Sequence, residues 1–338
     1  MVLDTFSRPL RSLRLSITDR CNLRCSYCMP EEDYRWLKRD HLLTFEEIVR
    51  AVGCFQALGV ERLRLTGGEP LLRREVPRLL EMLQPLGLAE VAMTSNGILL
   101  RRFADQLKAA GLHRLTISLD TLIPETFERL SRRNELAAVL DGIEAAQEAG
   151  FTGIKLDTVL IRGVNDQELH SLVEWSGRRQ LEIRFIEYMD VAGATRWRAD
   201  QVVSQSEILR SLEKRWGPVE PVDGRGAAPA QRFRLATGQV LGIIASVTHP
   251  FCGDCDRCRL TSDGQMLRCL YARQGLDLRN LLRGSGSSQE LLQAIGDYWQ
   301  QRSDRGAVER ASLSARSSFV SLDELRREPR LEMHTRGG

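Results

Sequence analysis

Six short apolar runs rich in branched residues punctuate the first 190 positions: LRLSIT (13–18), RLRLTG (62–67), EVAMT (90–94), RLTISL (114–119), GIKLDTVLI (153–161) and LEIRFIEY (181–188). Their length and composition predict strands. Between them, apolar residues recur at helical spacing. In the segment 44–58, Thr44 and Glu47 form a capping box, Ile48, Val49, Val52, Phe55 and Leu58 make the apolar stripe, and Gly59 stops the helix. Segments 101–110 and 136–149 end likewise at Gly111 and Gly150. Strand-then-helix units in series predict an α/β protein with a parallel sheet, either doubly wound or curved into a barrel.

The chemically distinctive residues follow these strands. Cys21 comes after the first, GGEP (67–70) after the second and TSNG (94–97) after the third. Ser118 and Asp120 end the fourth, and Glu187 with Met189 ends the sixth. In barrel enzymes the carboxyl ends of the strands form the catalytic face. Beyond 191 the alternation weakens. EPVDGRGAAPAQ (220–231) reads as a surface loop or linker, RGSGSSQE (283–290) as a loop before a last helix, and a soft domain boundary falls near 195.

Composition narrows the class. At 338 residues, with 42% hydrophobic and 28% charged positions, the chain has enough material for a large core and suggests neither disorder nor a fibrous fold. No run approaches the ~18 apolar residues of a membrane span, and MVLDTFSRPLRSLRLS lacks the apolar centre of a signal peptide, so a cytoplasmic location is expected. A net charge of +3 is too balanced for a general nucleic-acid or membrane surface. Seven of the eight cysteines fall in two short groups; in a reducing compartment that points to metal binding rather than disulfides. Cys54, on the stripe of the 44–58 helix, reads as a packed core thiol.

TDRCNLRCSYCMP places Cys21, Cys25 and Cys28 together. A closed zinc site wants four ligands, whereas three thiolates on a four-iron cubane leave one iron open for a ligand. The second group, HPFCGDCDRCRLTSDGQMLRCL (249–270), carries Cys252, Cys255, Cys258 and Cys269. Taken alone, it suits a zinc site or a complete electron-transfer cluster. A zinc ribbon binding nucleic acid would use Arg257, Arg259 and Arg268, but the segment lacks interleaved aromatics for stacking bases.

CxxxCxxC with Tyr27 before its last cysteine, followed by GGEP, resembles the radical S-adenosylmethionine superfamily. The further order TSNG, SLD, RFIEYMD, FCxxCxRxRL, DGxxxxCL and a terminal Gly-Gly is similar to the GTP 3′,8-cyclase family of molybdenum cofactor biosynthesis, over essentially the whole chain. The resemblance implies a partial (β/α)6 TIM-like barrel over 1–195, closed by a smaller region (196–338) that carries a second iron–sulfur cluster. It implies two 4Fe–4S clusters, the first on Cys21, Cys25 and Cys28 and the second on Cys252, Cys255 and Cys269, with Cys258 departing from the family pattern. S-adenosylmethionine would meet Tyr27, Gly68, Ser118 and Met189. GTP would meet Arg14, Arg64, Thr94, Lys155, Arg184, Arg257 and Arg259. The tail, Gly337 and Gly338, would reach into the active site, although composition alone favours a disordered end.

The implied reaction is a radical cyclisation. A deoxyadenosyl radical removes the ribose 3′ hydrogen of GTP, and the carbon radical attacks C8 of guanine. A homodimer, a flavodoxin- or ferredoxin-type reductant and hand-off to cyclic pyranopterin monophosphate synthase are further implications. Another radical enzyme with an auxiliary cluster and a non-enzymatic two-cluster electron carrier are the rival readings. Arginine suits triphosphate because its planar fork donates bidentate hydrogen bonds. The competing explanation for each buried cation is an ion pair with a local carboxylate such as Asp157 or Glu187.

Overall fold

The computed structural model describes residues 1–191, 193–284, 286–313 and 316–337. All six expected strands form: β1 (Ser12–Ser16), β2 (Arg62–Thr66), β3 (Glu90–Ser95), β4 (Arg114–Ser118), β5 (Lys155–Leu160) and β6 (Glu182–Glu187). The helices that return the chain between them are α1 (Phe45–Ala57), α2 (Val76–Leu83), α3 (Leu100–Ala109), α4 (Pro124–Ser131), α5 (Leu136–Glu148) and α6 (Leu169–Arg178). At the start of α1 the Thr44 hydroxyl accepts from the Glu47 amide at 3.1 Å while the Glu47 carboxylate accepts from the Thr44 amide at 2.7 Å, so two otherwise orphaned donors are satisfied reciprocally.

The remaining elements are α7 (Gln205–Trp216), β7 (Val219–Val222), β8 (Gln231–Leu235), β9 (Val240–Ile244), β10 (Arg257–Leu260), β11 (Gln265–Leu267), β12 (Leu276–Asp277), α8 (Leu278–Arg283), α9 (Ser288–Gln300), α10 (Gly306–Ala311), α11 (Leu322–Arg327) and α12 (Met333–Arg336). Two expectations change here. The 220–231 segment is not a linker, because β7 and β8 pair antiparallel and only their connection is a loop. The helix after 283–290 is not the last, since α10, α11 and α12 follow it.

One twelve-stranded sheet runs β12-β11-β10-β1-β2-β3-β4-β5-β6-β9-β8-β7. The strands β1 to β6 are parallel in chain order, β10 adds parallel to β1, and β9 adds parallel to β6. Strands from the second half of the chain therefore flank both edges of the first half. Successive side chains of a strand point to opposite faces. One face carries Leu13, Leu15, Leu63, Leu65, Met93, Leu115, Ile117, Leu156, Ile183 and Phe185, all nearly or fully buried. Burying each such side chain contributes roughly 1.5–3 kcal/mol. The other face carries Arg14, Arg64, Thr94, Thr116, Ser118, Lys155, Asp157 and Arg184, joined through the Ser12↔Arg257 and Arg14↔Arg259 register by Arg257 and Arg259. An apolar helix-covered face and a polar, cationic face are what fix the site.

Candidate active site

The loop leaving β1 bears Cys21, Cys25 and Cys28. The amides of Arg24 and Ser26 donate to the carbonyls of Ser131 and Leu130 at 2.9 and 2.8 Å, anchoring the loop on the end of α4. The GGEP turn anchors it from the other side: Gly68 N donates to Thr18 O at 2.9 Å and Glu69 N to Arg20 O at 2.7 Å. A Cβ on Gly67 would lie 2.4 Å from Thr18 O, and one on Gly68 would lie 2.3 Å from Arg20 O. The glycines thus allow close approach of the cysteine loop's backbone. Glu69 ties in a third loop, accepting from Leu71 N at 3.1 Å, Ser95 Oγ at 3.0 Å and Asn96 N at 2.7 Å. Burial pushes its carboxyl up to about 7.

Cys21, Cys25 and Cys28 all line one cavity at the carboxyl ends of the strands. Burial pushes Cys21 up to about 11 and raises Cys25 and Cys28 as well. Three half-buried sulfurs whose thiolates are disfavoured without a cation beside them are a donor set that fits an iron–sulfur cluster. Tyr27, Gly68, Ser118 and Met189 line the same cavity. Tyr27 is held by its hydroxyl, which donates to Asp120 Oδ2 at 2.6 Å; Asp120 Oδ1 accepts from Val159 N at 2.8 Å. Burial raises the Asp120 carboxyl to about 6.

Cys252, Cys255 and Cys269 line this cavity too. Cys258 does not share it. It sits on β10 opposite Leu13, fully buried on the apolar face, because the register that turns Arg257 and Arg259 to the cavity turns the residue between them away. A closed four-thiolate site in this group is thereby excluded. Burial alone would raise Cys255, but the guanidiniums of Arg257 and Arg302 outweigh it and hold the thiol at about 7.

The cations divide into two sets. Arg14, Arg257 and Arg259 line the cavity together with Thr94. Burial, then the neighbouring charges of Arg259, Arg64 and Arg257, depresses Arg14 well below the usual guanidinium value. Burial likewise brings Arg259 to about 10. Arg64, Lys155 and Arg184 share the face without lining the cavity. Arg64 Nη1 donates to Thr94 Oγ1 at 3.3 Å and Thr116 Oγ1 at 2.9 Å. Arg184 pairs with Glu182 at 2.6 Å, so its partner is neither Asp157 nor Glu187. Glu187 points the other way and accepts from the amides of Gln205, Val247 and Thr248 at 2.9, 2.8 and 2.8 Å. Asp157, raised by burial but opposed by Arg184, Arg64, Arg14 and Lys155, stands among more cations than it can neutralise. Burial with Arg184 and Arg114 nearby lowers Lys155 to about 8.

The chain's end is ordered against this face. Arg336 is buried and donates from Nη1 to Leu270 O at 2.9 Å, while Arg259 Nη1 donates to Arg336 O at 3.0 Å and also to Gly337 O. Gly337 has φ +71°, and a Cβ there would lie 2.2 Å from Thr66 Oγ1. Gly338 lies outside the described residues.

Residues 15–176 match the radical SAM superfamily and 181–308 match molybdenum cofactor synthesis C. The chain is 47% identical over 340 residues to GTP 3′,8-cyclase 3 of Mycobacterium bovis, spanning 99% of this chain and 90% of that protein. It is 48% identical over 342 residues to GTP 3′,8-cyclase 1 of Mycobacterium tuberculosis, spanning 100% and 95%. The chain belongs to the GTP 3′,8-cyclase family. Its fold is also similar to Streptococcus suis SuiB bound to S-adenosylmethionine, with a TM-score of 0.61 at 15% identity, covering 90% of this chain and 68% of that one.

Three residues of this cyclase fold lie inside the quoted motifs but were given no role there. Glu69 and Asp120 organise the first cysteine loop. Asp190, ending RFIEYMD, is fully buried and accepts from Arg310 Nε at 2.7 Å, Arg316 Nη2 at 2.7 Å and the Tyr271 hydroxyl at 2.9 Å. Its partners lie 81 to 126 positions away, so the motif marks the residue but not what it binds.

Proposed function

We propose that this chain's cavity is the GTP-cyclising site of a partial barrel made by β1 to β6, with the region beyond 195 closing its mouth. The enzyme is an S-adenosylmethionine-dependent GTP 3′,8-cyclase acting in the first step of molybdenum cofactor biosynthesis. One observation carries the residue-level reading: two cysteine trios open into one cavity whose sheet wall presents Arg14, Arg257 and Arg259. Cys21, Cys25 and Cys28 would hold the first 4Fe–4S cluster, and Cys252, Cys255 and Cys269 the second. When bound, the first cluster and S-adenosylmethionine supply the 5′-deoxyadenosyl radical that takes the 3′ hydrogen of GTP.

The chain's own residues orient and shield. Tyr27, fixed by Asp120, and the Gly68 backbone position S-adenosylmethionine beside Ser118 and Met189. Arg14, Arg257 and Arg259 neutralise the triphosphate with bidentate donors, and the cation surplus around Asp157 extends that attraction through Arg64, Lys155 and Arg184. Thr94, oriented by Arg64, contacts the nucleotide. Gly337, whose carbonyl accepts from Arg259, holds that guanidinium toward the substrate. Holding the reacting groups in one enclosed geometry supplies proximity and keeps water from the radical. A homodimer, an external flavodoxin- or ferredoxin-type donor and transfer of product to cyclic pyranopterin monophosphate synthase complete the reading.

The test is anaerobic reconstitution with iron and sulfide, followed by S-adenosylmethionine, a reductant and GTP deuterated at 3′. Deuterium in 5′-deoxyadenosine together with an isomer of GTP supports the assignment. Deoxyadenosine with no nucleotide product removes GTP as the substrate, and absence of both returns the chain to a two-cluster electron carrier.

A further inference from the structure

We propose that Arg302 tunes the second iron–sulfur cluster, making it easier to reduce; this rests on the reading of Cys252, Cys255 and Cys269 as a cluster site. Arg302 lies two residues beyond α9 and belongs to none of the motifs. It is only 2% exposed. Its Nη1 donates to the Cys255 carbonyl at 2.7 Å and its Nη2 to Cys255 Sγ at 3.4 Å. Its Nε faces Asp304 at 3.4 Å, and the guanidinium carbon sits 4.6 Å from the centre of the Trp299 ring. With all three nitrogens engaged, Arg302 has no free edge for a triphosphate. It is a positioning residue.

The chain's first residues lock this arrangement from behind. Thr5 Oγ1 donates to the Arg302 carbonyl at 2.7 Å, and Asp4 lies 3.6 Å from Arg302 Nη1 while accepting from Arg8 Nε at 2.6 Å. Arg8 Nη1 in turn donates to the Cys252 carbonyl at 2.8 Å. Both cysteines of the CxxC pair are therefore gripped by buried guanidiniums. Arg8, Arg268 and Arg302 face the two carboxylates of Asp4 and Asp304, leaving a positive surplus beside the thiolates. A buried guanidinium short of counter-charge is unfavourable unless an anion completes its shell, and a thiolate-bound cluster is such an anion.

Reduction adds one electron, from dithionite in the test below, and makes or breaks no bond. N–H donation to a ligating sulfur and nearby positive charge stabilise the more negative reduced state over the oxidised one, which raises the potential. Among the described residues no guanidinium donates to Sγ of Cys21, Cys25 or Cys28, so the effect is confined to the second trio.

The experiment uses the full chain carrying Cys21→Ala, Cys25→Ala and Cys28→Ala, reconstituted without nucleotide or S-adenosylmethionine, so that only the second cluster is present. Iron is counted, and the midpoint is followed by electron paramagnetic resonance during dithionite titration. The expected result is that Arg302→Met lowers the reduced-to-oxidised ratio at the parent midpoint about tenfold, the size of one lost charged hydrogen bond. Arg302→Gln, which keeps a donor and removes the charge, shifts it the same way by less. An unmoved midpoint in an iron-loaded Arg302→Met chain overturns the role of Arg302. If that variant fails to hold iron, Arg302→Gln decides by the same criterion. Failure of the parent triple variant to bind any iron overturns the cluster reading itself, a distinct outcome.

Discussion

Lys155 shares the cationic face of the sheet without lining the cavity, and burial with the neighbouring arginines lowers it to about 8. A triphosphate binds the protonated form, so the free enzyme must take up a proton to bind GTP once the pH exceeds that value. Affinity is expected to fall as pH rises from 8 to 9.5, by up to tenfold per unit. Lys155→Arg is expected to flatten the fall, as seen by equilibrium binding of GTP to the loaded enzyme. Gly337 makes a second residue-level case. Gly337→Ala places a methyl against Thr66 at a left-handed backbone position, so the tail must withdraw from Arg259. We expect GTP turnover to drop by at least tenfold, the weight of a misplaced charged contact, while iron content and S-adenosylmethionine binding stay at wild-type levels. The cysteines separate as cleanly. Cys255→Ala should lose about four of about eight irons, whereas Cys258→Ala should keep them all. Cys258→Ala should cost only about 1 kcal/mol of stability in a urea titration, the price of a small core cavity.

At the level of elements, Asp190 joins the end of β6 to the chain beyond α9. Burial would raise its carboxyl, but hydrogen bonds from Arg316 and Arg310 hold it below the usual range. Its carbonyl also accepts from Phe319 N at 2.8 Å. Asp190→Asn leaves two guanidiniums without their counter-ion and is expected to destabilise the protein by about 3 kcal/mol. It should also loosen the cover over the cavity. The measurable sign is uncoupling: the ratio of 5′-deoxyadenosine to nucleotide product is expected to rise several-fold over that of the wild type. This latch was not legible in the sequence because both arginines come from a stretch with no periodic pattern. By contrast, the α1 capping box and the six strands were legible because their signals are local, a hydroxyl three residues from a carboxylate or a run of branched side chains. Glu187 shows the limit of local reading. As a residue near Arg184 it suggested an ion pair, but a strand sends positions 184 and 187 to opposite faces, so it caps the amides of 205, 247 and 248 instead.

For the molecule as a whole, the chain order of β1 to β6 follows from the pattern, but the edges of the sheet do not. Placing β10 beside β1 depends on pairing residues far apart in sequence, a choice that composition does not encode. That same pairing settles which cysteine of the second group is left out. It also bears on the soft boundary near 195, because a fragment ending there would lack the strands that pair with β1 and β6. Residues 1–195 expressed alone are expected to be largely insoluble, while the full chain stays in solution, as read by the soluble fraction after lysis.

The β10–β1 pairing also sets a clock for synthesis. β1 leaves the ribosome ending at Ser16, but its neighbour begins at Arg257, about 240 residues later. At ~5–20 residues per second the strand waits roughly 10–50 seconds with its hydrogen-bonding edge open. During that wait Arg14, flanked by Ser12 and Ser16, is what a passing strand would meet on one face of that edge. A lone charge on an open strand discourages pairing with other chains. The arginine proposed to face the triphosphate therefore protects the nascent protein first.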